Sequence, residues 1–155
     1  MSGHANGRVE TLRATAASRQ ALGRLAMDTR GQGLVEFTAE LARWVAESGI
    51  QDGLLTVFCR HTSASLTIQE NADPDVRTDL MAALDRLAPR TALYVHDLEG
   101  PDDMPAHIRT MLTGVSLAIP VVGGQLALGT WQGVYLVEHR DRPHRREVVL
   151  HIIGE

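Results

Sequence analysis

Apolar residues recur every three or four positions in three stretches of the chain. The strongest pattern lies between Asp73 and Pro89, a stretch that carries the apolar residues Val76, Leu80, Leu84 and Leu87. This spacing gives an amphipathic helix one apolar face, and Asp73 before a proline is a favoured start for a helix. Weaker patterns of the same period predict helices over 39–48 and 105–112.

Other apolar stretches have the short or alternating patterns of β-strands. A continuous apolar run at 54–59 predicts a buried strand, and alternation at 65–68 predicts a half-buried one. Residues 22–27 and 34–38 flank a turn-rich segment and predict a β-hairpin. Further strands are predicted over 93–96, 115–122, 126–128, 131–138 and 148–153. These elements predict an α+β fold of mostly antiparallel strands, with two or three helices packed outside.

Length and composition are those of a soluble globular protein. The chain has 155 residues, 44% of them hydrophobic and 22% charged, so we expect one domain over 20–155, preceded by a poorly ordered leader over 1–19. The net charge of −4 disfavours non-specific binding of nucleic acid, which depends on a basic surface. No apolar run reaches the ~18–20 residues that span a bilayer, and the leader has no signal-peptide core. We therefore expect a cytoplasmic protein with neither nucleic acid nor membrane as a partner.

The densest group of chemically useful side chains lies in residues 96–107. His96 and His107 stand at its two ends. Between them lie four carboxylates, Asp97, Glu99, Asp102 and Asp103. Imidazole nitrogens and carboxylates are the groups that bind divalent metals or carry out acid–base chemistry. The alternative interpretation is an acidic surface loop with two unrelated histidines.

A second polar group covers residues 61–73. His61 comes directly after the predicted buried strand, where side chains commonly enter a site, and Glu70 and Asn71 offer oxygen atoms. If His61, His96 and His107 converge, three imidazoles with one open position would resemble a catalytic zinc site. Nearby carboxylates would then act as supporting partners or as a base. The alternative is a capped turn between two strands.

Any phosphate recognition by cationic side chains has to come from arginine, because all 15 basic residues are arginines. A guanidinium binds phosphate through two parallel hydrogen bonds. Arg109 follows His107 on a predicted helix, whereas Arg145 and Arg146 belong to the charged segment 140–146. That segment is otherwise typical of a solvated turn.

Several separated motifs resemble, in order, the YjbQ-like family, whose members carry the label secondary thiamine-phosphate synthase enzyme. They are HTSA at 61–64, ENADP at 70–74, His96, EG at 99–100, MPAH at 104–107 and LGTWQG at 128–133. The resemblance extends from about residue 22 to residue 155. It implies an α+β fold, a sandwich of β-sheets with flanking helices, and a homotrimer with sites near subunit contacts.

For the site, the resemblance implies a divalent metal, zinc or magnesium, and a small phosphorylated metabolite. His61, His96 and His107 would hold the metal. The other expected site residues are Glu70, Glu99 and Asp103 as catalytic carboxylates, and Ser63, Asn71, Arg109, Arg145 and Arg146 as ligand contacts. The labelled activity would join a pyrimidine pyrophosphate to a thiazole phosphate with loss of pyrophosphate. The alternatives are a non-catalytic ligand-binding or assembly module and a structural oligomer without a site.

Overall fold

The computed structural model describes residues 16–155. Three helices are present in this range: α1 (Thr38–Ser48), α2 (Pro74–Leu87) and α3 (Asp103–Thr113). The strands are β1 (Arg19–Asp28), β2 (Gly33–Glu36), β3 (Gly53–Cys59), β4 (Ala64–Glu70), β5 (Ser116–Val122), β6 (Gln125–Leu126), β7 (Gln132–Glu138) and β8 (Arg145–Gly154). Most of the predicted leader lies outside the described residues, and Arg19, its last residue, already belongs to β1.

The strands form two antiparallel sheets, one with the order β1-β8-β3-β5-β6 and one with the order β2-β7-β4. A single apolar core joins them, because buried side chains of both sheets belong to one cluster: Leu55 and Val57 of β3, Leu66 of β4, Leu136 of β7, and Leu150 and Ile152 of β8. Leu41 and Val45 of α1 pack into the same core. The predicted α+β fold with antiparallel sheets and flanking helices is confirmed. No helix within residues 16–155 is long and apolar enough to cross a membrane.

The hairpin predicted for residues 22–38 is wrong. Strands β1 and β2 lie in different sheets: β1 pairs with β8, and β2 pairs with β7. The turn-rich segment between them therefore crosses from one sheet to the other. Turn residues show that the chain changes direction, but the partner of each strand depends on contacts more than 100 residues away, such as Leu22 opposite His151.

The strand predicted over 93–96 is also wrong. Residues 88–100 form bends and turns between α2 and α3, and the side chains of Leu93 and Val95 are fully exposed. A short apolar run becomes a strand only where a neighbouring strand can exchange hydrogen bonds with it. Here the Tyr94 hydroxyl instead donates to the Pro89 carbonyl at 2.8 Å, which holds the segment as a loop.

Helix predictions are confirmed, with small shifts at their ends. In α2, the Asp73 carboxylate accepts a hydrogen bond from the Asp75 N–H at 2.9 Å, as expected for a helix cap. Helix α3 begins at Asp103, two residues before its predicted start. This shift places Asp103 and His107 one turn apart on the same helical face.

Register in the smaller sheet positions the functional residues. Ala64 at the start of β4 pairs with Glu138 at the end of β7, and Glu70 at the other end of β4 pairs with Gln132. The six steps between Ala64 and Glu70 span roughly 20 Å at about 3.3 Å per residue. The segments before β4 and after β7 therefore meet at one end of the sheet, and Glu70 lies at the other.

Candidate functional site

His96, Asp103 and His107 form a compact cluster at the start of α3. Asp103 Oδ2 lies 2.6 Å from His96 Nε2 and 3.2 Å from His107 Nε2. The two imidazole centres are 5.5 Å apart, and all three potential ligand atoms lie within 4.8 Å of one another. The loop before α3 supplies His96, and the helical spacing brings His107 over Asp103.

The hydrogen bonds of His107 indicate which ring nitrogen is free to bind a metal. His107 Nδ1 lies 2.9 Å from the Thr62 carbonyl oxygen. A carbonyl only accepts hydrogen bonds, so Nδ1 has to carry the proton. In the neutral ring, Nε2 then presents a lone pair toward the Asp103 carboxylate. A nitrogen lone pair and a carboxylate oxygen that face each other at 3.2 Å repel, and a metal cation held between them would make the contact favourable.

The three members of this cluster differ in how far their side chains are buried. The Asp103 side chain is 3% exposed, whereas those of His96 and His107 are 44% and 33% exposed. A buried carboxylate requires a charged partner, and Arg140 Nη1 provides it by donating to Asp103 Oδ1. The second oxygen, Oδ2, is left facing the two imidazoles. The cluster thus combines an anchored carboxylate with two imidazoles that solvent can reach.

The neighbouring Asp102 holds Arg140 in place. Asp102 Oδ2 accepts from Arg140 Nε at 3.0 Å and from the Asp141 N–H at 2.9 Å. Burial alone would raise the pKa of Asp102, but these two hydrogen bonds outweigh it and hold the pKa below its usual value. Glu99 contributes its backbone carbonyl, which accepts from Arg140 Nη2 at 2.9 Å. The predicted carboxylates therefore divide: Asp103 faces the histidines, and Asp102 fixes Arg140.

His61 lies close to the cluster but outside it. Its Nε2 accepts a hydrogen bond from the Glu147 N–H at 2.8 Å, so that nitrogen is already engaged. Burial, and secondarily the charge of Arg146, lowers the pKa of His61. His61 and His107 line a common open cleft of about 800 Å³, together with apolar side chains that include Phe58, Met111 and Val115. The structure thus brings two of the three predicted histidines together and places His61 on the wall of the adjoining cleft.

Glu70 and Asn71 lie at the other end of β4, roughly 20 Å from its first residue by the strand rise. The backbone carbonyl of Glu70 accepts from the Tyr135 hydroxyl at 3.4 Å. Asn71 Nδ2 donates to Glu36 Oε1 at 3.2 Å. Within one copy of the chain, these two residues are not part of the His96–Asp103–His107 cluster.

The three arginines predicted to bind phosphate already have protein partners. Arg109 is 1% exposed and donates to Asp85 Oδ1 at 2.7 Å and to Gln32 Oε1 at 3.0 Å. These contacts of Arg109 connect α3 to α2 and to the segment before β2. Arg145 lies on the surface and pairs with Asp28 at 3.3 Å.

Arg146 belongs to a buried ion pair with Glu138. Its Nε and Nη2 donate to the two carboxylate oxygens of Glu138 at 2.7 and 2.6 Å. Its Nη2 also donates to Ser63 Oγ at 3.0 Å, so the predicted ligand residue Ser63 is a partner of Arg146. Burial would raise the pKa of Glu138, but the hydrogen bonds from Arg146, the Arg140 N–H and Thr29 keep it below its usual value.

Arg140 and His139 were not predicted as site residues, although Arg140 begins the charged segment 140–146. Both follow β7, whose pairing with β4 brings the His139 N–H to the Ser63 carbonyl at 3.4 Å. The Arg140 side chain reaches the segment 99–103. His139 is fully buried, with Nε2 at 2.8 Å from Ser65 Oγ. Burial, and then the charge of Arg109, lowers the pKa of His139 to about 4. Local sequence patterns do not predict the contact of His139 with Ser65 or that of Arg140 with Asp103, because both join segments far apart in the chain.

The sequence model described as "UPF0047 protein YjbQ-like" matches residues 24–155. The chain belongs to the YjbQ-like UPF0047 family. It is 56% identical over 132 residues to the UPF0047 protein sll1880 of Synechocystis, covering 84% of this chain and 90% of that protein. It is 40% identical over 132 residues to YjbQ of Escherichia coli O157:H7, covering 84% and 96% of the two chains. The family resemblance of the sequence motifs is thereby confirmed.

Solved structures of similar proteins have the same fold. A YjbQ/UPF0047 family protein from Clostridium acetobutylicum superposes with a TM-score of 0.78 at 41% identity, covering 83% of this chain and 98% of that one. The hypothetical protein APE1520 from Aeropyrum pernix K1 gives a TM-score of 0.80 at 33% identity, covering 87% and 99%. The YjbQ-like fold therefore extends over nearly the whole described part of the chain.

Proposed function

We propose that this YjbQ-like protein binds one divalent metal ion through His96 Nε2, Asp103 Oδ2 and His107 Nε2. The observation that carries the proposal is the bond from His107 Nδ1 to the Thr62 carbonyl at 2.9 Å. Metal-bound histidines characteristically donate their other ring N–H to a carbonyl or carboxylate, which fixes the tautomer. Arg140 plays the corresponding part for Asp103 by holding its second oxygen.

The donor set favours zinc over magnesium. Zn²⁺ binds imidazole and carboxylate at about 2.0–2.2 Å in a tetrahedral arrangement, which separates ligand atoms by roughly 3.3 Å. The 3.2 Å between His107 Nε2 and Asp103 Oδ2 matches this spacing, and His96 would move outward by a fraction of an ångström. Mg²⁺ prefers oxygen ligands and keeps several waters, so two imidazoles suit it poorly. Three protein ligands would leave a position open for a bound molecule.

The adjoining cleft supports a small-molecule ligand at that open position. Its wall is largely apolar, and His107 belongs both to the cluster and to the cleft. A phosphorylated metabolite would place its body in the cleft and its charged group at the metal, because Arg109, Arg145 and Arg146 are engaged with Asp85, Asp28 and Glu138. Arg60, a half-exposed residue paired with Glu147, supplies an arginine to the lining of this cleft.

Thiamine-phosphate synthesis is the finer proposal for this site. A bound divalent ion would supply the positive charge that stabilises a departing pyrophosphate. The apolar cleft would hold the pyrimidine beside it, and the ring nitrogen of the thiazole phosphate would attack the carbon that the pyrophosphate leaves. This nitrogen carries no proton, so the step needs no base, and the carboxylate of Glu99, on the exposed loop, would stabilise the positive charge of the thiazolium that forms. The measurement is formation of thiamine phosphate from the pyrimidine pyrophosphate and the thiazole phosphate, with wild type and His96→Ala compared. Equal rates in both would exclude this activity for the cluster.

A non-catalytic ligand-binding module is the second candidate, and the placement of Glu70 favours it. Glu70 lies at the other end of β4, roughly 20 Å from the first residue of that strand by the strand rise, and Asp103 is assigned to the metal ion in the proposal above. Two of the three predicted catalytic carboxylates are therefore not positioned in one copy of the chain to move a proton. Ligand binding without turnover in the same assay would support this candidate.

We also propose a homotrimer. Leu93, Val95 and Leu98 are almost fully exposed on the loop that carries His96, and exposed apolar groups of this kind mark protein interfaces. Sedimentation equilibrium should give three times the chain mass of 16.9 kDa. A mass of one chain at micromolar concentration would contradict the trimer and leave the metal proposal intact.

The metal proposal is tested by zinc titration of the purified protein after chelator treatment. We expect one tight equivalent per chain in wild type and a loss of at least roughly tenfold to a hundredfold in affinity for His107→Ala. The matched control is His151→Ala, since His151 contacts Gln20 at 3.0 Å and lies outside the cluster. Equal zinc affinity in all three proteins would refute the site.

A further inference from the structure

Both carboxylate oxygens of Asp103 have partners. Oδ2 faces His96 and His107, and Oδ1 accepts a hydrogen bond from Arg140. We propose that Arg140 is a positioning residue that restricts Asp103 to one metal-binding oxygen, and that it thereby sets the preference of the site for zinc-like ions over calcium and magnesium. This inference rests on the metal site proposed above and adds the origin of its selectivity.

The position of Arg140 is fixed from three directions. Its Nε donates to Asp102 Oδ2 at 3.0 Å, its Nη2 donates to the Glu99 carbonyl at 2.9 Å, and its Nη1 donates to Asp103 Oδ1. The side chain is 17% exposed. Because the guanidinium is planar and its donors form a rigid fork, these three acceptors determine both its place and its orientation.

If Asp103 bound a metal ion through both oxygens, Oδ1 would have to give up its hydrogen bond from the Arg140 guanidinium. Calcium sites commonly use both oxygens of a carboxylate and six to eight oxygen ligands in total. Here Oδ1 already accepts a charge-assisted hydrogen bond from a mostly buried arginine, and Oδ2 alone faces His96 and His107. The geometry therefore offers one carboxylate oxygen and two nitrogens, the set typical of zinc and similar ions.

Asp102 keeps Arg140 from adding net positive charge beside the ion. The Arg140–Asp102 pair is close to neutral, with Nε and Oδ2 3.0 Å apart, so it contributes geometry with little repulsion. Removal of Arg140 alone would leave Asp102 as an additional carboxylate without its arginine partner and free the second oxygen of Asp103. Both changes favour hard, oxygen-seeking cations. The ratio of zinc affinity to calcium affinity is therefore the quantity that Arg140 controls.

The test compares wild type with Arg140→Gln and Arg140→Lys. Dissociation constants for Zn²⁺, Mg²⁺ and Ca²⁺ are measured by titration calorimetry, and Co²⁺ is used as a spectroscopic substitute for zinc. Arg90→Gln is the matched control, because Arg90 binds both oxygens of Asp141 at 2.9 and 3.0 Å and belongs to the same network without contacting Asp103. Circular dichroism checks that each variant is folded.

In Arg140→Gln we expect the zinc-to-calcium affinity ratio to fall by roughly tenfold or more. We also expect the visible Co²⁺ absorption to weaken, since cobalt absorbs less strongly as its coordination number rises. Arg140→Lys retains the charge but not the fork, so it should change in the same direction to a smaller extent. It carries the test if Arg140→Gln does not fold.

Two outcomes are distinguishable. If wild type binds neither zinc nor cobalt, the metal proposal itself fails. If wild type binds zinc, but both Arg140 variants keep its Co²⁺ spectrum and stay within about twofold of Arg90→Gln in the affinity ratio, the metal site stands and the role of Arg140 is refuted.

Discussion

Two polar clusters lie at the same end of the smaller sheet, and they differ in burial and in how their hydrogen bonds are satisfied. In the Glu138–Arg146 pair, both carboxylate oxygens meet donors and both side chains are buried, at 0% and 5% exposure. In the His96–Asp103–His107 cluster, the imidazoles are partly exposed and one oxygen of the Asp103 carboxylate faces both rings. A closed set of buried bonds stabilises a fold, whereas an open set with accessible donors is suited to binding.

The comparison predicts its largest effect for loss of charge at Glu138. Glu138→Gln leaves the buried Arg146 without a carboxylate, and breaking a buried pair on one side costs about 3–5 kcal/mol of unfolding free energy. Urea unfolding at fixed protein concentration measures this loss. Arg145→Gln is the control, since its surface pair with Asp28 should contribute about 1 kcal/mol or less. Equal losses in the two variants would contradict the structural role of the buried pair.

Acid should destabilise the protein through His139. Burial, and then Arg109, lowers its pKa to about 4, below the roughly 6.5 of an unfolded histidine. Between these values the unfolded state binds more protons, so stability falls as the pH falls from about 6.5 toward 4, by on the order of 3 kcal/mol in total.

His139→Gln is the variant that tests this pH dependence, measured as unfolding free energy against pH. It should reduce the slope between pH 6.5 and 4.5 and leave the part that comes from His61, whose pKa burial also lowers, whereas the contribution of Glu138, with its lowered pKa, is lost only at more acidic pH. Parallel curves for wild type and variant over that window would show that His139 is not the group responsible.

Zinc should stabilise the protein through the His96–Asp103–His107 cluster and not through the Glu138–Arg146 pair. A ligand present at one hundred times its dissociation constant adds about 2.7 kcal/mol to the unfolding free energy. Chemical denaturation with and without zinc should show this gain in wild type and in His139→Gln, and little of it in His96→Ala. An equal gain in His96→Ala would place the ion elsewhere.

The smallest expected effect belongs to Ser63. Ser63→Ala removes one hydrogen bond to Arg146 Nη2, which retains Glu138 as a partner, so we expect a loss of about 1 kcal/mol in stability. Zinc affinity should stay unchanged, because Ser63 contacts the buried Glu138–Arg146 pair and not the His96–Asp103–His107 cluster. A clear fall in zinc affinity, measured by the same titration, would show that the two clusters are coupled.

Local patterns in the sequence predicted local structure well. The apolar period and the cap at Asp73 locate α2, and the twelve residues from His96 to His107 contain all three members of the candidate metal cluster. Pairings between distant segments could not be predicted in this way. Arg140 lies 37 positions after Asp103 and contacts it across the fold, and β1 pairs with β8 across more than 100 residues.

Closeness in sequence also misled in one place. His61 and Glu70 are separated by only eight residues, which suggested one site. Strand β4 is extended between them and carries Glu70 to the far end of the sheet, whereas the α-helix that joins Asp103 to His107 keeps them on one face. Residues close in sequence can therefore lie far apart along a strand but close together on one face of a helix.

The most direct test of the account is a crystal structure of the zinc-soaked protein with anomalous diffraction recorded at the zinc edge. We expect one strong peak per chain, about 2.0–2.2 Å from Nε2 of His96, Nε2 of His107 and Oδ2 of Asp103, with Arg140 still bound to Asp103 Oδ1. A strong peak only at other residues, or no peak beside these three at zinc concentrations well above the measured dissociation constant, would contradict it.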